Sequence, residues 1–288
     1  MKEEISRRTF IQLTGIGTAS VIAGSTQGIS AADDKKAVTS PAGKAIPFQL
    51  GLCSFTFRNF KVDDVIEMTT KTGIKYISLK DMHLSLNSKT DVIKATIDKF
   101  NKAGITVYAG GVVYMKTREE ISRAFDYARD AGMKILVAVP PHELLDVVHE
   151  KVKEYDIKIA IHNHGPGDKL YPTSDVAYEK IKNMDKRMGL CMDIGHTQRA
   201  GQNPAEQIEK YADRMLDFHI KDVTEASAKG TATEVGKGVI DIPSVIKALV
   251  KINYSGIAAF EYEKDGKAPM PGLTESIKYV RDILSKLA

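Results

Sequence analysis

Between residues 47 and 288, a short apolar run gives way eight times to a longer stretch with helical apolar spacing. The short runs are QLGLCSFTF (49–57), YISLKD (76–81), ITVYAGGVV (105–113), KILVAVP (134–140), KIAIHNHG (158–165), MGLCMDIGH (188–196), MLDFHIKD (215–222) and GIAAFEYE (256–263). Most are apolar at successive positions, as parallel strands covered on both faces must be. Helical spacing occupies 61–72, 88–103, 117–131, 141–155, 173–185, 203–213, 241–253 and 273–287. Thr117 and Glu120 predict a capping box, and Gly73, Gly104 and Gly132 end helices just before a strand. Eight such pairs without a change of composition predict an α/β chain, a single-domain (β/α)8 TIM barrel. The competing doubly wound sheet would bring a glycine-rich turn after the first strand, where this chain has Phe57-Arg58-Asn59-Phe60.

Composition narrows the partners. With 43% hydrophobic and 27% charged residues, the chain is neither collagen-like, low-complexity nor a disulfide scaffold. Its 41 basic and 37 acidic residues give a formal charge of +4. They are interspersed rather than gathered into a stripe, so no nucleic-acid partner is expected.

Residues 1–32 predict an export signal peptide. Lys2, Arg7 and Arg8 precede the uncharged stretch 13–24, which is too short and too rich in Gly, Ser and Thr to span a bilayer. Ser6-Arg7-Arg8-Thr9-Phe10-Ile11 resembles the twin-arginine export motif, and Ser30-Ala31-Ala32 offers a cleavage site. Residues 33–46 are polar and without periodicity, a flexible linker before the barrel at 47–288. The expectation is an exported, periplasmic protein carried by the twin-arginine machinery, with no stable membrane anchor. Cys53 and Cys191 fall inside buried strands three barrel positions apart, so both are expected as unpaired core residues.

The histidines point to chemistry. Six of the seven (His83, His142, His162, His164, His196 and His219) fall at or just past strand ends, and only His149 lies within a helix. The C-terminal ends of barrel strands are where TIM-barrel active sites lie. Asp193 and Glu261 end two further strands, so imidazole and carboxylate donors converge on one rim. That mixture suits one divalent ion: Mn, Mg, Co, Fe or Zn. Lys80 and His83 close the second strand, and Lys221 shares a face with His219. A lysine beside a dication has a lowered pKa and can serve as a base. Phe55 and Phe57 point the same way on an extended strand and, with Arg58, are candidate substrate contacts. Gly236 and Gly238 bracket Lys237 as a weak candidate for a phosphate cradle.

With DIGH at 193–196, HIKD at 219–222, GKGVID at 236–241 and Glu261 on the last strand, residues 47–288 resemble the xylose-isomerase-like barrels of the sugar phosphate isomerase/epimerase type. The resemblance implies that Asp193, His219 and Glu261 bind the ion, and that His196, with His164 nearby, touches sugar hydroxyls. Family members supply a glutamate from the fifth strand, commonly as Glu-Asn-His, where this chain has His162-Asn163-His164. His162 can ligate as the fourth metal residue, but it cannot be one of the paired carboxylate bases that epimerases of the family use. The candidate catalytic set is therefore Glu261, Lys80, His83 and Lys221.

The expected activity is metal-dependent proton abstraction beside the carbonyl of a sugar or keto-sugar. Isomerisation, epimerisation and β-elimination share that step. The lost glutamate favours a lyase or hydratase acting on a 3-keto-glycoside. Alternatives are a non-catalytic sugar-binding barrel and, opposed by export and scattered charge, a nuclease like the apurinic-site endonucleases.

Overall fold

The computed structural model describes residues 46–287, so the expected signal and nearly all of the linker lie outside the described residues. Ten strands follow in chain order: β1 Gln49–Cys53, β2 Tyr76–Leu79, β3 Thr106–Tyr114, β4 Ile135–Val139, β5 Lys158–His162, β6 Met188–Asp193, β7 Met215–Ile220, β8 Asp222–Val223, β9 Ala232–Thr233 and β10 Ile257–Phe260. Eight of them close into a parallel barrel, in the order β1-β10-β7-β6-β5-β4-β3-β2. Strands β8 and β9 form a separate antiparallel hairpin.

The helices are α1 Val62–Thr72, α2 Thr90–Lys102, α3 Arg118–Asp130, α4 Leu145–Tyr155, α5 Ser174–Ile181, α6 Ile194–Arg199, α7 Pro204–Lys210, α8 Ile242–Lys251 and α9 Met270–Leu287. Eight of them match the expected helical stretches. The exception is α6, where a strand was expected to run on to His196. Strand β6 stops at Asp193 because its carboxylate accepts the His196 backbone N–H at 2.9 Å and caps a helix there. Gly73, Gly104 and Gly132 all have φ near +70° and turn the chain back toward a strand, as expected. Thr117 does cap α3, but the Glu120 carboxylate reaches the N–H of Lys116, one residue earlier than a capping box requires.

The core is one continuous layer between barrel and helices, with the wall residues Leu52, Ile77, Leu136, Ile159, Leu190 and Phe218 all essentially inaccessible. Below the barrel, the buried Arg214 guanidinium ties the carbonyls of Lys182, Met184, Asp185 and Met188 at 2.7–3.0 Å. Cys53 and Cys191 are buried and free, as expected.

The first strand is shorter than its apolar run. Ser54–Phe57 forms a turn of 3-10 helix rather than strand. Side chains two apart then diverge, so Phe57 points into the core with no exposure while Phe55 stays half-buried at the rim. The expectation that both line a pocket is corrected for Phe57.

Candidate metal centre and its surroundings

One irregularity decides which side chains meet. Leu190 of β6 pairs with Met215 of β7, but Cys191 pairs with Asp217, so Leu216 is an extra residue in β7. Asp193 therefore comes opposite His219, where an unbroken register would bring Phe218. Bulges of this kind re-aim side chains beside active sites. Strand β5 adds His162, paired with Cys191. Glu261 follows the last residue of β10, its N–H bound to the Ile220 carbonyl.

His162, Asp193, His219 and Glu261 are all buried, and one donor atom from each lies within 4.8 Å of the others. His162 Nε2 and His219 Nδ1 are 3.1 Å apart, and His219 Nδ1 is 3.3 Å from Glu261 Oε2. Asp193 Oδ2 lies 3.6 Å from His162 Nε2 and 3.8 Å from His219 Nδ1. Ligand atoms about 2.0–2.2 Å from an ion stand roughly 3.0–3.6 Å from their neighbours, so small adjustments would enclose one. Asp193 Oδ2 is buried without a hydrogen bond among the described residues. Buried polar groups are normally paired. Two imidazole nitrogens facing each other and the same carboxylates make a donor set that fits a divalent cation.

A cation from the chain already stands there. Lys221 Nζ lies 2.9 Å from Asp193 Oδ2, 2.8 Å from Glu261 Oε2 and 3.3 Å from Glu263 Oε1. Burial disfavours its charge, but Asp193, Glu261 and Glu263 outweigh that and hold the ammonium well above the usual lysine range. The expectation of Lys221 as a free base is corrected: it is a protonated counter-ion. With His219 neutral, as a metal ligand must be, three carboxylates against one ammonium leave two negative charges, which a dication would balance. Lys221 reaches this position only because Gly195 lacks a side chain; a Cβ there would stand 2.8 Å from Lys221 Cδ.

The remaining expected residues divide. His164 and His196 flank the donor set, their ring centres 4.5 and 5.9 Å from that of His162. Burial lowers His196 to about 4, and Arg199 Nη1 lies 3.2 Å from its Nδ1. Lys80 sits half-buried at the rim, its Nζ 5.3 Å from the centre of the Phe55 ring and 3.3 Å from the Val112 carbonyl. Burial lowers its pKa, and Glu261 only partly restores it.

His83 is not free for catalysis. Its Nδ1 contacts Ser54 Oγ at 2.9 Å and its Nε2 the Phe57 carbonyl at 3.2 Å, so it pins the 3-10 turn. Arg58 is likewise engaged, donating to the carbonyls of Phe55 and Glu263. The expected phosphate cradle is filled from within. The Asp222 carboxylate accepts from the N–H groups of Val223, Gly236, Gly238 and Ile240 at 2.8–3.2 Å.

Some contributors were not anticipated. Asn163 accepts the Asp193 N–H at 2.9 Å and donates to the Asp193 carbonyl, fixing that ligand's backbone. Tyr114 stacks on His164 with centroids 5.7 Å apart, and Asp168 approaches His164 Nδ1 at 3.7 Å. Glu263 lies two residues beyond Glu261, a spacing that could have flagged it. Nothing local in the sequence marks Tyr114 or Asp168.

A family model described as xylose isomerase-like TIM barrel matches residues 60–283. The chain is 26% identical to the rhizopine catabolism protein MocC of Rhizobium meliloti over 137 residues, 42% of each chain. It is 30% identical to an inosose dehydratase of Histophilus somni over 169 residues, 51% of this chain and 54% of the relative. These two alignments thus span about half of each relative's length or less. An inosose dehydratase of Clostridium beijerinckii is 21% identical over 290 aligned positions, 81% of this chain and 96% of the relative. Among solved structures, an uncharacterised Parabacteroides distasonis protein superposes with a TM-score of 0.66 at 25% identity, covering 84% of this chain and all of that one. The IOLI protein, solved with a zinc atom, superposes with a TM-score of 0.68 at 19% identity over 83% of this chain and 99% of that one.

Proposed function

The chain belongs to the xylose isomerase-like TIM barrel family, and from that premise we propose a divalent-metal-dependent lyase that dehydrates a keto-sugar or keto-polyol. One observation carries the reading: His162, Asp193, His219 and Glu261, all buried, bring one ligand atom each to within 4.8 Å of the others at the C-terminal mouth of the barrel. The relatives named inosose dehydratase support elimination over epimerisation, and so does an imidazole in place of a second carboxylate base.

His162, Asp193, His219 and Glu261 would hold the ion, with Lys221 as their standing counter-charge. When bound, the ion would polarise a carbonyl and stabilise the charge of an enediolate. Lys80 is the proposed base. Its amine, desolvated at the rim, takes the proton from the carbon beside the carbonyl, and the C–H electron pair enters the enolate. The enolate then expels the β-hydroxyl. Lys80 returns its proton to the departing oxygen, which leaves as water, so no oxidant or reductant is required. His164, backed by Tyr114 and Asp168, and His196 would bind the hydroxyls that fix the ring.

The test is metal content together with turnover on a panel of inososes and 3-keto-sugars. Purified protein should hold about one divalent ion per chain. Asp193→Ala and His219→Ala should each lose it, along with most activity, while keeping the wild-type circular dichroism. A metal-free protein with full activity overturns the metal role. A metal-loaded protein that binds the panel but transforms none of it makes the barrel a binding protein.

A further inference from the structure

Beside the donor set, a cavity of about 570 Å³ is lined by Arg199, Thr224, Thr231, Thr233, Glu263 and Lys264, among others. We propose that it is a second carbohydrate subsite, which binds a neutral polyhydroxylated group attached to the reacting keto-sugar. The substrate class would then be two-ring glycosides rather than single rings. The proposal takes only the keto-sugar from the reading above; the subsite stands on its own lining.

Two of its walls belong to the centre already described. Glu263 contacts Lys221 at 3.3 Å, and Arg199 contacts His196 at 3.2 Å. A molecule reaching from the ion to this cavity would thus meet protein continuously. A third wall is the β8–β9 hairpin, an addition to the barrel at the same mouth, joined through Asp222↔Thr233 and Val223↔Ala232.

The chemistry of the lining selects a polyol over an anion. Lys264 is neutralised by both Glu234 oxygens at 2.7 and 2.9 Å. That leaves the Arg199 guanidinium and the Glu263 carboxylate, opposite in sign, with threonines in the same lining. A phosphate would be attracted by one and repelled by the other. Sugar hydroxyls, which both donate and accept, satisfy both. Arg199 is held in place at the wall, because one Nη donates to the Ala228 carbonyl at 2.9 Å and the other lies 3.2 Å from His196 Nδ1.

Binding and turnover test this on the full chain loaded with its ion. Cellobiose and glucose, both unoxidised, are titrated calorimetrically into wild type, Arg199→Ala and Thr231→Trp, the last filling the cavity from the hairpin without touching His196. Wild type should bind cellobiose at least tenfold more tightly than glucose. Both variants should reduce that preference by about tenfold, the scale of one lost charge-assisted hydrogen bond. The ratio of kcat/KM on 3-keto-cellobiose to that on 3-keto-glucose should fall in parallel. Equal binding of the two sugars by wild type, or a preference that neither variant changes, overturns the subsite. A preference that both variants lower, without turnover of either keto-sugar, supports the subsite and counts against the proposed reaction.

Discussion

Two lysines at the mouth of the barrel carry opposite electrostatics, and their surroundings explain why. Lys221 is enclosed by three carboxylates and stays charged; Lys80 is desolvated beside an aromatic ring, and its charge is disfavoured. Of the two, the second is the one whose surroundings suit a base. A base must be deprotonated, so kcat/KM should rise with pH through the pKa of Lys80, below the ordinary lysine value of about 10.4. Lys80→Met should abolish that limb and lower kcat by about 10²–10⁴-fold, while ion content stays at the wild-type level. An unchanged pH profile would remove Lys80 from the reaction. His162 invites the reverse experiment. His162→Glu should retain an ion, since carboxylate oxygen is also a good ligand, but the added negative charge weakens its Lewis acidity. Dehydration should fall, and deuterium uptake at the carbon beside the carbonyl should persist. Faster epimerisation by the variant, with no eliminated product from either protein, would place the native reaction in the other class.

At the level of elements, the Asp222 carboxylate is an anchor of the mouth. It binds four backbone N–H groups and shapes the loop 236–240, including Gly236 at φ +94°. A Cβ on Gly238 would collide with Asp222 Oδ1, so the glycines of GKG make room for a carboxylate from the chain itself. Asp222→Ala should cost about 2–4 kcal/mol and expose the amides of 236–240 to faster hydrogen exchange. Thermal melting and amide exchange measure the two effects. This loop shows where the sequence stops being legible. GKG signals an anion cradle, and the residues cannot say that the anion lies fourteen positions upstream. Helices with strong periodicity and left-handed glycine ends were readable to within a few residues. The 3-10 turn at 54–57 was not, because a run of apolar residues suits either conformation until His83 ties it down.

Taken whole, the barrel divides its labour. The candidate ligands come from β5, β6, β7 and the end of β10, four neighbouring staves of the wall. The donor list was readable because those residues end strands; their mutual geometry was not, because it depends on register. The export expectation concerns residues outside the described part of the chain, and its test is simple. Arg7 and Arg8, both replaced by lysine, should leave unprocessed precursor in the cytoplasm; normal processing would reject the twin-arginine route. The bulge at Leu216 has its own implication for how such a chain can change. Inserting one residue between Asp217 and Phe218, above the bulge, would carry Phe218 opposite Asp193 and displace His219, removing a donor although every donor residue survives in the sequence. For this centre the most damaging genetic change is one of length rather than of identity. Loops over the mouth can gain and lose residues as new substrates demand, while β7 must keep its count.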